Sequence, residues 1–122
     1  MKRITEILYL NKNRRTDPIP FISIIYCKAY DSYTWIYCID GKVHLASRNI
    51  GEIEKELSHE CFFRCHKSFI VNLLFACCLP VKTNKPDIYR VPVTNGHLID
   101  CACRRKAAFI KNFKYIKALY IN

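Results

Sequence analysis

Residues 62–72 read FFRCHKSFIVN. Phe62 and Phe63 open the stretch, and Phe69, Ile70 and Val71 nearly close it. Residues of this type belong in or near a core. Between the two apolar blocks stand Arg64, His66, Lys67 and Ser68, all hydrogen-bond donors. Donors set on a rigid apolar base suit phosphates and base edges, because side chains that read a groove must be held in position beforehand. Asn72 at the end is read as a buried turn residue whose amide satisfies backbone groups where the chain bends.

Working outward, residues 73–79 read as an apolar strand and residues 80–86 as a polar turn. Residues 87–93 and 97–102 form a hairpin about Asn95-Gly96. Upstream, the β-forming run 33–39 (YTWIYCI) meets Asp40-Gly41 and then the alternating segment 42–46, a second hairpin signal. Both dipeptides predict type I′ turns, which need positive φ at two central positions. Ser47 or Asn49 can cap a short helix, and Asn49 with Glu52 has capping-box spacing. Ile50, Ile53 and Leu57 fall on one face of that helix. Residues 21–28 read as a buried strand rich in isoleucine, and residues 29–32 as a loop. Residues 3–10 read as a first strand, with a helix as the alternative, and 11–20 as a basic, proline-containing connection. At the other end Phe109, Phe113, Ile116 and Tyr120 recur at helical spacing within 104–120, with lysines on other faces. The expected architecture is one mainly β domain over residues 1–122 with two short helices.

Composition narrows the function. The chain has 122 residues and a formal net charge of +10. A domain of this length buries roughly two-thirds of its unfolded surface, so neither metal nor disulfide is required for stability. Basic residues gather at 12–15, 64–67 and 104–106, with further lysines at Lys111, Lys114 and Lys117. Such placement points to an anionic partner. The start MKRITEILYL lacks the features of a signal peptide, and no segment is long enough to span a bilayer. A cytoplasmic protein with no membrane partner is the expectation.

Eight cysteines raise zinc and disulfides. A cytoplasmic setting keeps thiols reduced. The pairs Cys61/Cys65, Cys77/Cys78 and Cys101/Cys103 contain no C-x-x-C knuckle, so no metal and no cofactor are expected. Cys27 and Cys38 sit in strand-like runs as small hydrophobes. Cys65 lies beside Arg64 and His66, a neighbourhood that would lower its pKa and make it a possible redox thiol. The competing reading is a half-buried inert thiol. Cys65 and His66 are adjacent without a third catalytic group or a carboxylate pair, so the chain does not read as an enzyme, and no small-molecule substrate is expected.

In this order the motifs resemble the LytTR family of DNA-binding domains, output modules of bacterial response regulators. The resemblance is carried by IIYCKA (24–29), DSYTWIY (31–37), DGK (40–42), EKEL (54–57), FFRCHKSFIVN (62–72) and CRRK (103–106). It covers about residues 18–114. It implies an elongated β-β-β sandwich of small antiparallel sheets with a short internal helix and a C-terminal helix. It implies transcription regulation by sequence-specific binding of double-stranded DNA, with connecting loops entering successive major grooves of bent DNA. A second copy on an adjacent direct repeat is the implied partner arrangement. The implied contacts are Ser32 and Tyr33 before the aromatic strand, then Arg64, His66, Lys67 and Ser68, then Arg104 and Arg105, with Lys67 at the base-reading position.

The chemistry of the residues agrees with this map. An arginine fork matches guanine O6 and N7, and Lys67 can donate to a base or a phosphate. Arg64 and Ser68 suit phosphate anchoring. His66 reads equally as a phosphate donor or as a structural bond within the loop, and Tyr33 as a DNA contact or as packing on the hairpin. Three departures stand out. Cys103 occupies a place where many members have Ser. Residues 81–96 match no motif of the family. No receiver domain is present, so the chain reads as either a stand-alone regulator or an output portion. The alternative function is an RNA-binding or single-strand-binding β domain that stacks bases on Tyr30, Tyr33, Trp35 and Tyr37. The strand pattern around these aromatics argues instead for core packing.

Overall fold

A computed structural model describes residues 4–11 and 16–120, so the basic group at 12–15 lies outside the described residues. Among the described residues, ten strands and two α-helices follow one another. β1 (Ile7–Asn11) and β2 (Thr16–Pro20) form a two-stranded sheet. β3 (Ile24–Tyr30), β4 (Tyr33–Cys38), β5 (Val43–Ala46), β6 (Phe62–His66) and β7 (Phe69–Asn72) build the central sheet in the order β5-β4-β3-β7-β6. α1 (Ile50–Glu56) joins β5 to β6. β8 (Val81–Lys82), β9 (Ile88–Pro92) and β10 (Leu98–Ala102) make a third sheet, and α2 (Lys106–Tyr120) closes the chain. Every strand pairing is antiparallel.

The central sheet presents alternate side chains to two cores, one on each face, and leaves one face open around Lys28, Tyr30, Tyr33 and Leu45. Ile24, Cys27, Ile36, Cys38 and Ile70 pack with Leu8 and Ile19 of the first sheet and with Ile50, Ile53 and Leu57 around α1. Ile25, Tyr26, Phe63, Cys65 and Val71 pack with Val91, Ile99 and Cys101 of the third sheet and with Phe109 and Ile116 of α2. Phe109 joins the elements of this second core through an edge-on contact with Phe63 and a stacked contact with Phe113. The result is the expected three-layered, mainly β fold with a short internal helix and a C-terminal one.

Local signals explain much of this. Asn49 caps α1 by accepting the Glu52 backbone N–H at 2.9 Å, the bond that stabilises a helix start. Asn72 is fully buried. Its amide donates to the Ile24 carbonyl at 2.9 Å and accepts from the Leu74 N–H at 3.0 Å, so it turns the chain as its sequence context suggests.

Five expectations need correction. Residues 21–23 form a 3-10 turn rather than the start of the buried strand, which opens at Ile24. Residues 73–79 are not a strand: the turn made by Asn72 winds Leu73–Phe75 into a single 3-10 turn, and only Ala76 bridges, to Val93. Residues 16–20 are a strand rather than a connection. Pro18 and Pro20 are tolerated because β2 lies in a two-stranded ribbon, where one edge needs no donors, and buried Ile19 pins the register. Neither Gly-containing hairpin is type I′. Gly41 and Gly96 alone have positive φ in their turns, at 85° and 88°. Each turn closes by a bond from the glycine N–H, to Cys38 O at 3.1 Å and to Val93 O at 2.9 Å. This is the three-residue loop ending in a left-handed glycine. Asp40 and Asn95 stay outside the left-handed region and accept the Lys42 and His97 N–H groups instead. Trp35, in the middle of the aromatic strand, is half-buried rather than core.

Candidate nucleic-acid interface

The turn between β6 and β7 is built by its own arginine. Phe63 and Cys65 point into the core and Arg64 away from it, while a register shift between Phe63 and His66 sets the His66 ring beside Phe69. Arg64 Nε donates to the His66 carbonyl at 3.0 Å and Nη2 donates to the Lys67 carbonyl. Nη1 donates to Glu54 of α1 at 2.7 Å. One guanidinium therefore fixes both carbonyls of the turn and ties it to a helix. The fork geometry of arginine makes this possible where a lysine would offer a single point.

His66 completes the turn. Its Nδ1 accepts the Ser68 backbone N–H at 3.1 Å. A neutral imidazole accepting at Nδ1 carries its proton on Nε2, so the ring keeps an N–H donor. The Ser68 carbonyl accepts the Ala29 N–H of β3 at 2.8 Å. Between these anchors Lys67 is exposed, and its ammonium has no partner among the described residues.

The entry to α2 repeats this division. Cys103–Arg105 form a 3-10 turn. Arg105 lays its guanidinium over the Phe63 ring at 4.7 Å and donates from Nε to the Arg64 carbonyl at 3.2 Å. Lys106 sits over the Tyr89 ring at 4.4 Å. Arg104 is exposed, again without a side-chain partner among the described residues. Lys67 and Arg104 line two adjoining open clefts of about 470 and 600 Å³; Glu54, Arg64 and Arg105 border the first, and Asp87, Ile88 and Cys103 the second.

Ser32 and Tyr33 sit at the β3–β4 turn, where Asp31 takes a φ of 51°. Both are exposed. The register Lys28↔Phe69 places this turn and the β6–β7 turn at the same end of the central sheet. The predicted contact residues thus divide into exposed groups, Ser32, Tyr33, Lys67 and Arg104, and groups engaged with the protein, Arg64, His66, Ser68 and Arg105.

Cys65 is buried completely, and its thiol donates to the Asp100 carbonyl at 3.3 Å. Burial pushes its pKa well up, and neighbouring Cys101 adds to the rise. Arg105 acts in the opposite sense without offsetting burial. The direction is opposite to that suggested by its sequence neighbours, because strand alternation turns Cys65 away from Arg64 and His66. Among the described residues no group of three or more His, Cys, Asp or Glu side chains is placed to hold a metal ion. No described helix is long and apolar enough to cross a membrane.

Sequence reasoning missed Arg48. It is only 8% exposed and pairs with Glu56 at 3.1 Å, with Glu52 at 3.9 Å. Its carbonyl accepts buried Thr34 Oγ1 at 2.8 Å. Arg48 thereby locks the start of α1 to β4, beneath the helix that carries Glu54. The Arg48/Glu52 spacing, one helical turn apart, was the available signal.

Comparison with known proteins agrees with this geometry. A model of the LytTr DNA-binding domain matches residues 14–75. The transcriptional regulatory protein YpdB of Escherichia coli K12 is 34% identical over 71 residues, which cover 58% of this chain and 29% of that protein. YpdB of Shigella flexneri matches over the same extent. The match therefore spans under a third of the length of these relatives. In three dimensions the LytTr DNA-binding domain of a putative methyl-accepting/DNA response regulator from Bacillus cereus superposes with a TM-score of 0.68 at 21% identity, covering 88% of this chain and 95% of that one. On its motifs, its layered β architecture and the family match over half its length, the chain belongs to the LytTR family of DNA-binding domains.

Proposed function

We propose that this chain is a cytoplasmic, non-enzymatic transcription regulator that binds double-stranded DNA sequence-specifically, its loops entering successive major grooves. The observation that carries this reading is the pairing of Lys67 with Arg104. Both are exposed, both lack side-chain partners among the described residues, and both line the same clefts. Each stands beside an arginine committed to the fold: Arg64 braces the turn of Lys67, and Arg105 anchors the turn of Arg104. The turns that carry the two cations are fixed before binding, so ordering on binding is confined to the two side chains.

In this reading Arg104 takes guanine O6 and N7, and Lys67 a base acceptor in the neighbouring step. The His66 Nε2–H and the Ser68 hydroxyl donate to phosphate and fix register. Ser32 and Tyr33 touch the backbone from the adjacent turn. Arg64 and Arg105 contribute charge to the field and geometry to the loops. A second copy occupies a neighbouring direct repeat, the two meeting on bent DNA. With about six neutralised phosphates, log affinity falls against log salt with a slope of roughly −5. Fluorescence anisotropy of a labelled duplex across salt concentrations tests this. A flat salt response would remove duplex DNA as the partner.

A further inference from the structure

The central sheet carries an aromatic surface that the duplex reading uses only at its margin, through Tyr33 and His66, and not at Lys28, Tyr30, Trp35 or Phe69. The pairings Tyr30↔Tyr33, Lys28↔Trp35, Trp35↔Leu45, Lys28↔Phe69 and His66↔Phe69 place these residues opposite one another across four interfaces of the sheet. Directly paired residues share a face. Their strand neighbours Ala29, Thr34 and Ile36 turn to the opposite, covered side. Tyr30 is 54% exposed, Tyr33 42% and Leu45 42%, while Trp35 and Phe69 are half-buried. The Tyr30 and Trp35 rings lie 5.9 Å apart, and the Phe69 ring lies 5.9 Å from His66. Core packing explains neither Tyr30 nor Tyr33, and it explains Trp35 only in part.

We infer that this face is a stacking platform for unpaired bases, and that it takes single-stranded nucleic acid. Charge selects that occupant. Lys28 is exposed in the middle of the surface, with Lys67 at its end, and none of the residues in these pairings is a carboxylate. A second copy of a chain with a net charge of +10 is a poor electrostatic match for such a surface. Aromatic rings interleaved with cations accept any base, because every base has a π face and every linkage a phosphate. The platform adjoins the β6–β7 turn through His66 and Phe69. A strand unpaired next to a bound duplex would therefore be received without leaving the protein.

Trp35 is the only tryptophan in the chain, so its intrinsic emission reports this face alone. The test is titration with a short oligothymidylate, following Trp35 emission and, in parallel, the anisotropy of a labelled copy. The expected result is saturable quenching that tracks anisotropy. Tyr30→Ala weakens oligothymidylate binding about tenfold, the loss of one stacked base. Tyr30→Phe, which keeps the ring, restores it, and duplex affinity is the same in all three proteins. Binding without quenching would place the strand elsewhere and overturn the inference, as would no binding at all. Sedimentation showing a dimer that Tyr30→Ala dissociates would give the face to a second copy and overturn it equally. Duplex binding is scored separately, so failure of the platform leaves the duplex reading standing, and the reverse.

Discussion

The two ends of the central sheet treat their polar groups differently. At the end carrying the β4–β5 and β9–β10 turns, Asp40, Asn95 and His97 close on the protein. Asp40 and Asn95 bond the backbone of their own turns. His97 Nδ1 meets the Tyr26 hydroxyl at 2.6 Å, and the Tyr26 ring stacks on Tyr37 at 4.2 Å. At the end carrying the β3–β4 and β6–β7 turns, Arg64 and Arg105 close on the protein, but Lys67 and Arg104 do not. Both ends are ordered by the same means, side chains bonding turn backbone. Each end keeps an exposed lysine without a side-chain partner among the described residues, Lys42 at one and Lys67 at the other, but only the β6–β7 end sets beside it a second free cation, Arg104, over two braced arginines. What separates the ends is the clustering of free cations around a shared cleft, not the presence of one.

The largest effect should abolish the contrast rather than sharpen it. Phe109→Ala empties the core between sheet and helix, at a cost of about 3–5 kcal/mol. Urea unfolding should show this, and loss of DNA binding should follow only through the unfolded fraction. An unchanged midpoint would mean that α2 does not hold the second core together.

Substitutions at the reading end should separate binding from stability. Lys67→Ala and Arg104→Ala should each weaken the preferred duplex by about 1–3 kcal/mol and relax preference at particular base pairs. Their melting temperatures should match the parent protein, because neither side chain has an internal partner. Arg64→Ala should instead lower affinity for all duplexes and also lower the melting temperature, since it frees two turn carbonyls and Glu54. A normal melting temperature for Arg64→Ala would contradict its role as a brace.

The opposite end should respond the other way. Gly96→Ala forces a side chain into the left-handed region, at about 1–2 kcal/mol. No atom beyond the two neighbouring residues stands within 4 Å of the added carbon, so the backbone is the whole cost. Stability should fall while duplex affinity holds. A parallel loss of affinity would show that the two ends are coupled.

The smallest effect concerns the thiols. Cys77, Cys78 and Cys103 are exposed and should react quickly with a thiol reagent, while Cys65 should react only on unfolding. Its raised pKa leaves little thiolate at neutral pH. Rapid labelling of Cys65 in the folded protein, found by peptide mapping, would revive a redox role for it.

Much of this was legible in the sequence, and the limits have physical causes. Hairpins, the cap at Asn49, the turn at Asn72 and the α2 stripe depend on neighbours within a few residues, so the chain spells them out. The β1–β2 pairing was hidden because prolines read as connection until a partner strand makes an edge of them. The turn types were misread because Asp-Gly and Asn-Gly suit two loop lengths, and the third loop residue is chosen by the strands. Lys67 and Arg104 stood out with their clusters. What sequence could not sort was which cation in each cluster is tied down. That depends on Glu54, Phe63 and two turn carbonyls, contacts made only by the fold. Cys65 was misjudged for the same reason, since adjacency in sequence becomes opposition across a strand.

The most direct test is selection of random duplexes by the pure protein near physiological salt, repeated with Lys67→Ala and Arg104→Ala. The account predicts enrichment of a short motif, as two direct repeats about one or two helical turns apart, with each variant losing preference at its own positions. Retention of duplexes with no enriched sequence, or a motif unchanged in both variants, would contradict it.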